Sequence, residues 1–444
     1  MSLSKYVNYK YSGADWLGDI PDHWRTVPLW TLFRRTKRTG CETEQLLSVY
    51  RDFGVIPKAS RDDNNNKASD DLSVYQLVEP GDLAVNKMKA WQGSVAISEY
   101  RGIVSPAYFI YEAIHKENAR YLHYLLRSPR YITGYLAISK GIRVNQWDLE
   151  PQYHSRMPVV LPTNEEQFKI ATLLDRETGK IDVLIAEQEK LLTLLAEKRQ
   201  AIISHAVTKG LNPDVPMKDS GVEWLGEVPA HWEVSRVKYY CSVRGRIGFR
   251  GYTTEDQVNE GDGALVLGAT QITNTGQISL EAPVYISWEK YFESPEIMVE
   301  SGDVLMVQRG STCGKVGFVS ADFGATTINP SIVLPKEICT SPRLLFLFLS
   351  SSVVQNFLTS SLGKTAIPML SQEQIGNLAF CVPPKSEQVS IIEFVQTKVS
   401  QLDSLTTKAE LAIELLKERR SALISAAVTG KIDVRNAVTE EVAA

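Results

Sequence analysis

A thirteen-residue segment occurs twice in the chain, and this repeat constrains the fold more than any other feature. SGADWLGDIPDHW at residues 12–24 returns as SGVEWLGEVPAHW at residues 220–232, with eight identical positions. EKRQAIISHAVT at residues 197–208 returns as ERRSALISAAVT at residues 418–429, again with eight identical positions. The two offsets are 208 and 221 residues. The chain therefore consists of two copies of one unit, with about 13 extra residues inside the second copy.

Each copy begins with a globular part. Runs of apolar and β-branched residues bounded by Gly, Pro and Asp, such as GDLAVNKM, SVAISEY, GDVLMVQ and KVGFVS, predict strands and turns. NARYLHYLLRS and PRLLFLFLSSSVVQNFL have helical patterns instead. The fold class predicted for these parts is mixed α/β (α+β). We predict globular domains at residues 1–160 and 216–384, a helical spacer at 161–215, and a second spacer with the tail at 385–444.

The helical part of each copy carries an apolar heptad. Proline is absent from Glu165 to Thr208 and from Glu387 to Thr429, and LPTNEEQ or VPPKSEQ marks each helix start. Two helices of about 43 residues would each be about 65 Å long at 1.5 Å per residue and favour a coiled coil. Parallel pairing, antiparallel pairing with pseudo-twofold symmetry, and helices packed only on their own domains all remain open. The predicted seam includes Ile181, Leu184, Leu195, Ile202, Leu402, Leu405, Leu416 and Leu423.

Composition excludes several classes of protein. No apolar run approaches the roughly 18 residues of a membrane span, and the N-terminus lacks a signal-peptide pattern, which predicts a cytoplasmic protein. The five cysteines form no CxxC pair and the six histidines have no metal-ligand spacing, so we expect reduced thiols and no metal site. The net charge of −4 decides nothing about DNA binding, because a basic face can occur on an acidic protein.

The usual catalytic motifs are missing. GKT at residues 363–365 lacks the first glycine of a phosphate-binding loop. SPAY at 105–108 and NPSI at 329–332 lack the second proline typical of adenine methyltransferases, and GxSxG and HExxH do not occur. His23 and His231 occupy equivalent positions beside tryptophan, where we expect packing or capping. The chain is predicted not to be an enzyme.

The segments that differ between the copies offer hydrogen-bond donors for DNA. They include FRRTKRTG, NKMKAWQGS, GIRVNQW, VRGRIGFRGY and VQRGSTCGK, and the last aligns with NKMKAWQGS. Arginine and lysine neutralise phosphates, while arginine can read guanine and Asn or Gln can read adenine. Each cluster could instead be an ordinary solvated surface. The candidate DNA contacts are Arg34, Arg35, Lys37, Arg38, Lys87, Lys89, Arg143, Asn145, Gln146, Arg244, Arg246, Arg250, Gln308, Arg309, Lys315 and Lys364.

Together these features resemble one family over essentially the whole chain. Two WLGxxPxHW segments, two variable domains, and two PxxxEQ leads into long helices are similar to the specificity subunit of Type I restriction-modification enzymes. The resemblance implies two target-recognition domains separated by an antiparallel pair of helices, each domain reading half of a split, asymmetric double-stranded DNA site. It also implies a non-catalytic chain that binds two modification subunits, which use S-adenosylmethionine to methylate adenine N6. Restriction subunits that need ATP and Mg would join them.

Two identical partners need two equivalent surfaces, and this requirement explains the repeats. The candidate docking or structural residues are Trp16, Leu17, Pro21, Trp24, Trp224, Leu225, Pro229, Trp232, Arg199 and Arg420. The alternative is that the tryptophans only fix the chain where it enters each domain. Two other functions remain open: a free-standing bipartite DNA-binding protein, and a coiled-coil scaffold without methyltransferase partners.

Overall fold

The computed structural model divides the chain into two compact units. Unit 1 contains residues up to 189 and from 410 onward, and unit 2 contains residues 190–409. These limits fall inside the two long helices, so each unit holds one globular part and part of each helix. The predicted limits at 160 and 384 lie where the globular parts lead into the helices. The structure describes residues 4–51, 53–61, 69–143, 146–362 and 368–436, with backbone only at 142, 143, 146 and 249.

Unit 1 is built on a four-stranded antiparallel sheet of order β4-β11-β8-β9. Its buried core joins this sheet to α1, α2 and the start of α4. The elements of unit 1 are β1 (Tyr9–Tyr11), β2 (Asp19–Pro21), β3 (Arg25–Pro28), β4 (Phe33–Thr36), β5 (Leu47–Tyr50), β6 (Gly54–Pro57), β7 (Gln76–Val78), β8 (Leu83–Asn86), β9 (Val95–Ile97), β10 (Gly102–Val104), β11 (Tyr108–Ala113), α1 (Ala119–Leu126), α2 (Pro129–Ala137), β12 (Ser139–Arg143), β13 (Gln146–Leu149), α3 (Pro151–Ser155), β14 (Pro158–Leu161) and α4 (Asn164–Lys209), which continues into unit 2.

Unit 2 repeats this sheet as β18-β25-β22-β23 and adds a second one, β19-β21-β20-β24, in which β20 and β24 are parallel. The mixed α/β class is therefore confirmed. Three strands of the extra sheet, β19, β20 and β21, lie between β18 and β22 in the chain, and β24 follows β23. The elements of unit 2 are β15 (Met217–Asp219), β16 (Glu227–Pro229), β17 (Glu233–Arg236), β18 (Ser242–Gly245), β19 (Gln257–Val258), β20 (Gly263–Leu267), β21 (Val284–Ser287), α5 (Trp288–Phe292), β22 (Val304–Val307), β23 (Val316–Phe318), β24 (Thr326–Ile328), β25 (Ile332–Lys336), α6 (Pro342–Leu349), α7 (Ser352–Leu362), α8 (Gln372–Gly376), β26 (Ala379–Val382) and α9 (Lys385–Val428), which continues into unit 1.

Helices α4 and α9, of 46 and 44 residues, run antiparallel within each unit. In unit 1 the Nε of Arg420 lies 3.0 Å from an Asp182 carboxylate oxygen, and Leu174 shares a core with Val428. In unit 2 Arg199 pairs with Asp403, and Ile203 shares a core with Ile391. Residue numbers rise along α4 as they fall along α9. Antiparallel pairing of the helices is thereby confirmed within each unit.

Most of the predicted seam is buried. Ile181, Leu195 and Leu402 are at most 7% exposed, and Ile202, Leu416 and Leu423 are half-buried. The prediction is wrong for Leu184 and Leu405, which are 44% and 48% exposed. Each follows a seam residue by three positions, which turns it about 60° away from the seam at 3.6 residues per turn. That direction leaves much of each side chain in solvent.

The repeated segments meet the helix starts in space. In unit 1 the indole Nε1 of Trp24 donates to Glu166, 3.3 Å away, and Nε2 of His23 lies 2.9 Å from the other oxygen of that carboxylate. In unit 2 Trp232 and His231 contact Glu387 in the same way, at 3.0 and 2.6 Å. The HW dipeptide of each repeat therefore holds the glutamate of each EQ dipeptide. We call these two clusters the glutamate latches.

The end of the opposite helix packs on the same tryptophan. Gly430 follows α9 with a φ of 69°, and a Cβ there would lie 2.3 Å from the ring of Pro21 and 3.3 Å from Trp24. Gly210 follows α4 with a φ of 75°, and a Cβ there would lie 3.3 Å from Trp232. Glycine is favoured at both positions by its left-handed backbone conformation and by the close approach. Each repeat thus joins one helix start to the other helix end.

The glutamine of each EQ dipeptide holds the globular part. The amide oxygen of Gln167 accepts from the backbone N–H of Asn118, the residue before α1, at 2.9 Å. The amide oxygen of Gln388 accepts from Ser341, the residue before α6, at 3.4 Å. The two residues of the EQ dipeptide therefore fasten two different segments to the start of each long helix.

Three further expectations concern disulfides, metal binding and membrane spans. All five cysteines are free. Within the described ranges, no group of three or more His, Cys, Asp and Glu side chains is arranged to hold a metal ion. In the same ranges no single helix has the length and apolarity of a membrane span, although α6 and α7 together, bent by 54°, meet that criterion.

Candidate nucleic-acid interface

The segment NKMKAWQGS of unit 1 forms the connection between β8 and β9. The side-chain oxygen of Asn86 accepts from the N–H of Met88 at 3.1 Å, and Gly93 turns the chain back with a φ of 91°. Lys89 is exposed and Gln92 is half-buried on this connection. The indole N–H of Trp91 donates to the Met88 carbonyl at 3.2 Å. These bonds fix a short loop that presents polar side chains at the edge of the sheet.

A cavity of about 530 Å³ brings three of these side chains together with others from the variable segment. Sequence reasoning missed the residues contributed by β5, by Arg51 and by Lys58, because they lie some 30 to 40 positions earlier in the chain. Burial raises the pKa of Tyr108, so its phenol stays protonated beside the cavity. The polar side chains lining it include Asn86, Lys89, Gln92, Ser48, Tyr50, Arg51, Lys58 and Tyr108. Amides, hydroxyls and cations of this kind are those that contact base edges and phosphates.

The segment VQRGSTCGK of unit 2 connects β22 to β23, at the place that the β8–β9 connection occupies in unit 1. The alignment of these two segments is confirmed. The side chain of Gln308 is 9% exposed and donates to the Pro330 carbonyl at 3.0 Å. Arg309 is exposed and forms an isolated bridge with Met369. Of this segment, Arg309 is therefore better placed than Gln308 to meet DNA.

The FRRTKRTG cluster lies along β4 and the loop after it, and much of it is already paired. Arg34 donates to Glu112 on the neighbouring strand at 2.8 Å, which lowers the pKa of that carboxyl group. Arg35 lies over the Phe109 ring at 4.4 Å. Arg38 forms ion pairs with Glu79 and with the buried Asp82. Arg38 therefore has a structural role, whereas Arg34, Arg35 and Lys37 are exposed.

The equivalent arginine cluster of unit 2 also contains both exposed and structurally paired side chains. Arg244 is exposed and lies 3.5 Å from Glu337, and Arg250 lies 3.6 Å from Glu296. Arg246 is only 7% exposed, and its guanidinium donates to Thr327 and to the Ile328 carbonyl. Burial lowers the pKa of Arg246. Its placement supports a structural role and gives no support to the predicted DNA contact.

The two remaining lysine candidates with described side chains are less exposed. Lys87 is half-buried after β8, and Lys315 is half-buried and lines a cavity of unit 2. Arg143 and Gln146 belong to the β12–β13 hairpin, but their side chains are not described. Asn145 and Lys364 lie outside the described residues.

The residues predicted to dock or to pack are mostly buried within their own unit. Trp24, Trp232, Leu17 and Leu225 are at most 4% exposed. Trp16 packs edge-on against Tyr131 at 5.1 Å, and Trp224 stacks on Phe357 at 4.7 Å. Pro21 and Pro229 are buried, and Arg199 and Arg420 form the helix ion pairs. The packing alternative therefore accounts for the tryptophans.

The long helices also carry exposed leucines. Leu184 and Leu415 are exposed in unit 1, and Leu405 and Leu194 are exposed in unit 2, at 44% to 55% of their surface. Leu405 follows Leu184 by 221 positions, and Leu415 follows Leu194 by the same number. Each unit therefore presents one leucine from α4 and one from α9, at equivalent positions. We call these the two leucine surfaces.

The family model and the relatives that resemble this chain all belong to one family. Residues 229–415 match the Type I restriction modification DNA specificity domain. The EcoBI specificity subunit of Escherichia coli is 22% identical over 71% of this chain, a match that spans 66% of that relative, just under two thirds. The MjaVIII specificity subunit of Methanocaldococcus jannaschii is 21% identical over 94% of this chain and 95% of its own length.

One solved structure shows the same fold. A chain from a study of complex assembly and conformational transition of the type I R-M system superposes with a TM-score of 0.67 at 14% identity. The superposition covers 92% of this chain and 98% of that chain. The two-unit architecture with long helices is therefore a known fold.

Proposed function

We propose that this chain, a member of the Type I restriction-modification specificity-subunit family, reads a split, asymmetric DNA site, with one half-site for each unit. The observation that carries the proposal is the pair of matched loops, β8–β9 and β22–β23. They occupy the same place in equivalent sheets and carry different polar side chains. Equivalent placement suits two similar duplex segments, while different side chains suit two different base sequences.

In unit 1 the reading groups are those that line the cavity beside the β8–β9 connection. Asn86 and Gln92 have the amide groups that pair with adenine, and Lys89 can donate to guanine or to phosphate. In unit 2 Arg309 is exposed on the equivalent loop. Each good bidentate contact of this type gives about 1–3 kcal/mol of discrimination between bases.

The exposed ion pairs on β4 and β18 serve the DNA backbone. Arg34 and Arg244 each share a cross-strand pair with a glutamate. Exposed pairs of this kind contribute only about 0–1 kcal/mol. A phosphate can therefore replace the glutamate as the partner of each guanidinium. These contacts position the duplex and carry no sequence information.

The two leucine surfaces bind two copies of one modification subunit. Their residues lie at equivalent positions in the two units, so a single partner surface fits both. The chain itself is non-catalytic: S-adenosylmethionine is held by the modification subunits, which methylate adenine N6. Restriction subunits that use ATP and Mg join through them.

The test is methylation-aware sequencing of host DNA, with the chain co-expressed with its neighbouring modification subunit. We expect a split motif of N6-methyladenine only when the chain is present. Replacement of residues 25–156 by those of a relative should change one half of the motif and leave the other half unchanged. Unchanged methylation with and without the chain would contradict the proposal and favour a scaffold or a free-standing DNA-binding protein.

Two pairs of variants distinguish recognition of the DNA sequence from binding of the modification subunits. Lys89→Ala should alter or weaken one half of the motif, and Arg309→Ala the other. Leu184→Asp and Leu405→Asp should each reduce binding of one modification subunit, measured by native mass spectrometry, while binding of the isolated chain to DNA is retained. Full retention of both subunits in the Leu184→Asp, Leu405→Asp double variant would exclude the leucine surfaces as docking sites.

A further inference from the structure

A cavity of about 540 Å³ lies within unit 2 among α6, the strand β23 and the unit-2 parts of α4 and α9. Its walls carry Arg343 from α6, Arg199 from α4 and Lys315 from the end of the β22–β23 connection. Asp403 of α9 is the one carboxylate among the lining residues. Its size is within the range of small-molecule sites, about 300–1,000 Å³.

Arg343 is half-buried and has no carboxylate partner among the described residues. Its guanidinium lies 4.5 Å from the ring centre of Phe318 and 5.0 Å from that of Phe346. Burial, and then the nearby charge of Arg199, lowers the pKa of Arg343. The cation is therefore removed from part of its water without a compensating anion, which is unfavourable.

Unit 1 contains the equivalent cavity, of about 350 Å³, and there the arginine is neutralised. Arg120 occupies the second position of α1 as Arg343 does of α6. It donates to Asp175 at 2.7 Å and lies 3.2 Å from Glu99. Burial lowers the pKa of Arg120, but Asp175, Tyr124 and Glu99 more than compensate, and the net change is an increase.

The two carboxylates that neutralise Arg120 are absent from unit 2. The offset of 221 residues places Gln396 where unit 1 has Asp175, and Ser320 where it has Glu99. Both replacements line the unit 2 cavity. The same offset retains the helix ion pair, which is Arg420 with Asp182 in one unit and Arg199 with Asp403 in the other. The half-buried arginine therefore loses both carboxylate partners in unit 2, while the helix ion pair is kept.

The formal charge of the cavity follows from these replacements. In unit 1 Arg120, Arg127 and Arg420 face Glu99, Asp175 and Asp182, which gives three cations and three carboxylates. In unit 2 Arg199, Arg343 and Lys315 face Asp403 alone, which leaves an excess of two positive charges. The rest of the lining is polar and uncharged or apolar.

A second observation also indicates a missing partner. The amide oxygen of Gln200, in the wall of the cavity, is buried and has no hydrogen-bond partner among the described residues. Rotation of that amide by 180° would present its NH₂ group instead, and the two orientations are equally compatible with the shape of the side chain. Either orientation leaves a polar atom available to a ligand.

We propose that the unit 2 cavity binds a phosphate group. The excess of two positive charges matches the charge of about −1.5 to −2 that a phosphate monoester carries near neutral pH. The guanidinium groups of Arg343 and Arg199 provide forked donors, and Lys315 provides a point charge, a combination suited to phosphate oxygens. The phosphate comes either from a small molecule, as such a monoester, or from the DNA backbone, whose phosphodiester carries one negative charge and would leave an excess of one positive charge.

The first experiment titrates the full chain with inorganic phosphate, at constant ionic strength set with sodium chloride, and follows ³¹P line broadening and calorimetry. We expect saturable binding of one phosphate per chain. Arg343→Gln should weaken it at least tenfold. Gln396→Asp, which restores the carboxylate of unit 1, should weaken it to a similar degree. The matched control is Arg120→Gln in unit 1, which should leave phosphate binding unchanged.

The second experiment identifies the source with a non-specific DNA duplex in place of phosphate. If the site holds a DNA phosphate, Arg343→Gln should reduce the slope of log K against log salt by about one. If it holds a small molecule, the affinity for DNA and its salt slope should be unchanged by the substitution. The phosphate titration needs neither DNA nor a partner subunit, so its result is independent of the proposed function.

Two results would overturn the proposal. One is the absence of saturable phosphate binding by the wild-type chain. The other is binding that persists at equal strength in both Arg343→Gln and Gln396→Asp. Arg343→Gln breaks no ion pair among the described residues, although it removes the contact of the guanidinium with Phe318 and Phe346. Gln396 is exposed on α9, so its substitution removes no buried contact. Circular dichroism and thermal unfolding of each variant will establish that it folds.

Discussion

The two units share a framework but fill it with different side chains. Unit 1 has His123 on α1 and His154 on α3, where unit 2 has Phe346 on α6 and Ile375 on α8. The arginine–carboxylate network around Arg120 is likewise reduced in unit 2 to Arg343 over two aromatic rings. The difference teaches that the repeated segments determine the backbone, while the interior beside them can be polar or apolar.

The two glutamate latches make the same contact in both units but differ in burial. Glu166 is 3% exposed and also accepts from the hydroxyl of Tyr6, which precedes the repeat. The side chain of Glu387 is 39% exposed. In unit 1 the segment after α9 returns to the N-terminus, where the N–H of Asp433 donates to the Ser4 carbonyl at 2.7 Å. The closure of unit 1 is non-covalent, whereas in unit 2 the chain runs on from α4 to β15.

The largest expected effect tests what the units share. Trp24→Ala and Trp232→Ala each remove a buried indole between the two helix ends, and each should destabilise its own unit by about 3–5 kcal/mol. Hydrogen exchange with mass spectrometry can measure protection in each unit separately. Costs that differ by more than a factor of two would show that the framework is not equivalent in the two units.

The latch glutamates should differ. Glu166→Ala leaves buried donors without an acceptor and should destabilise unit 1 by about 3 kcal/mol, since each unsatisfied buried group costs about 1–3 kcal/mol. Glu387→Ala exposes its partners to water and should destabilise unit 2 by about 1 kcal/mol. Chemical denaturation monitored by exchange in each unit provides the measurement. Equal losses of stability would mean that the deeper burial of Glu166 does not increase its contribution.

Mild acid should lower the stability of unit 1 and leave that of unit 2 unchanged. Burial lowers the pKa of His123 and of His154 from 6.5 to about 3. Because the unfolded chain then binds more protons, stability is complete above pH 6.5 and falls as the pH decreases from 6.5 toward 3. Each imidazole should account for a loss of about 2 kcal/mol between pH 7 and pH 5.

The measurement is hydrogen exchange of the two units at pH 7 and pH 5, corrected for the intrinsic rate. The control variant is His123→Phe, which installs the residue of unit 2 and should remove about half of the acid sensitivity. Equal acid sensitivity in the two units would contradict the assignment of this effect to the buried histidines.

The smallest effect concerns the helix ion pairs. Asp182→Asn and Asp403→Asn each break a partly exposed pair, and each should reduce stability by less than about 1 kcal/mol. The two losses should be similar and should decrease in high salt. Thermal unfolding at two salt concentrations measures both. A large difference between them would place one pair in a less exposed environment than the other.

Much of the fold was predictable because the informative patterns are local. Heptad spacing indicated the two long helices, and short apolar runs indicated β8, β9, β22 and β23. The repeats indicated two equivalent units. The DNA candidates were predictable only as segments, since a guanidinium can face solvent or the core. Arg244 is exposed and Arg246 is buried, two positions along the same part of the chain.

The sequence by itself determined that the chain contains two copies of one unit, and that each copy pairs a mixed α/β part with a long helix. Only the tertiary structure decided the antiparallel direction of the helices and the lack of a carboxylate beside Arg343. It also decided the hydrogen bonds from Trp24 to Glu166 and from Trp232 to Glu387. The physical reason is distance along the chain. Periodicity reports which face of an element is apolar, whereas the partners of a polar side chain are fixed by the packing of segments more than 100 residues apart.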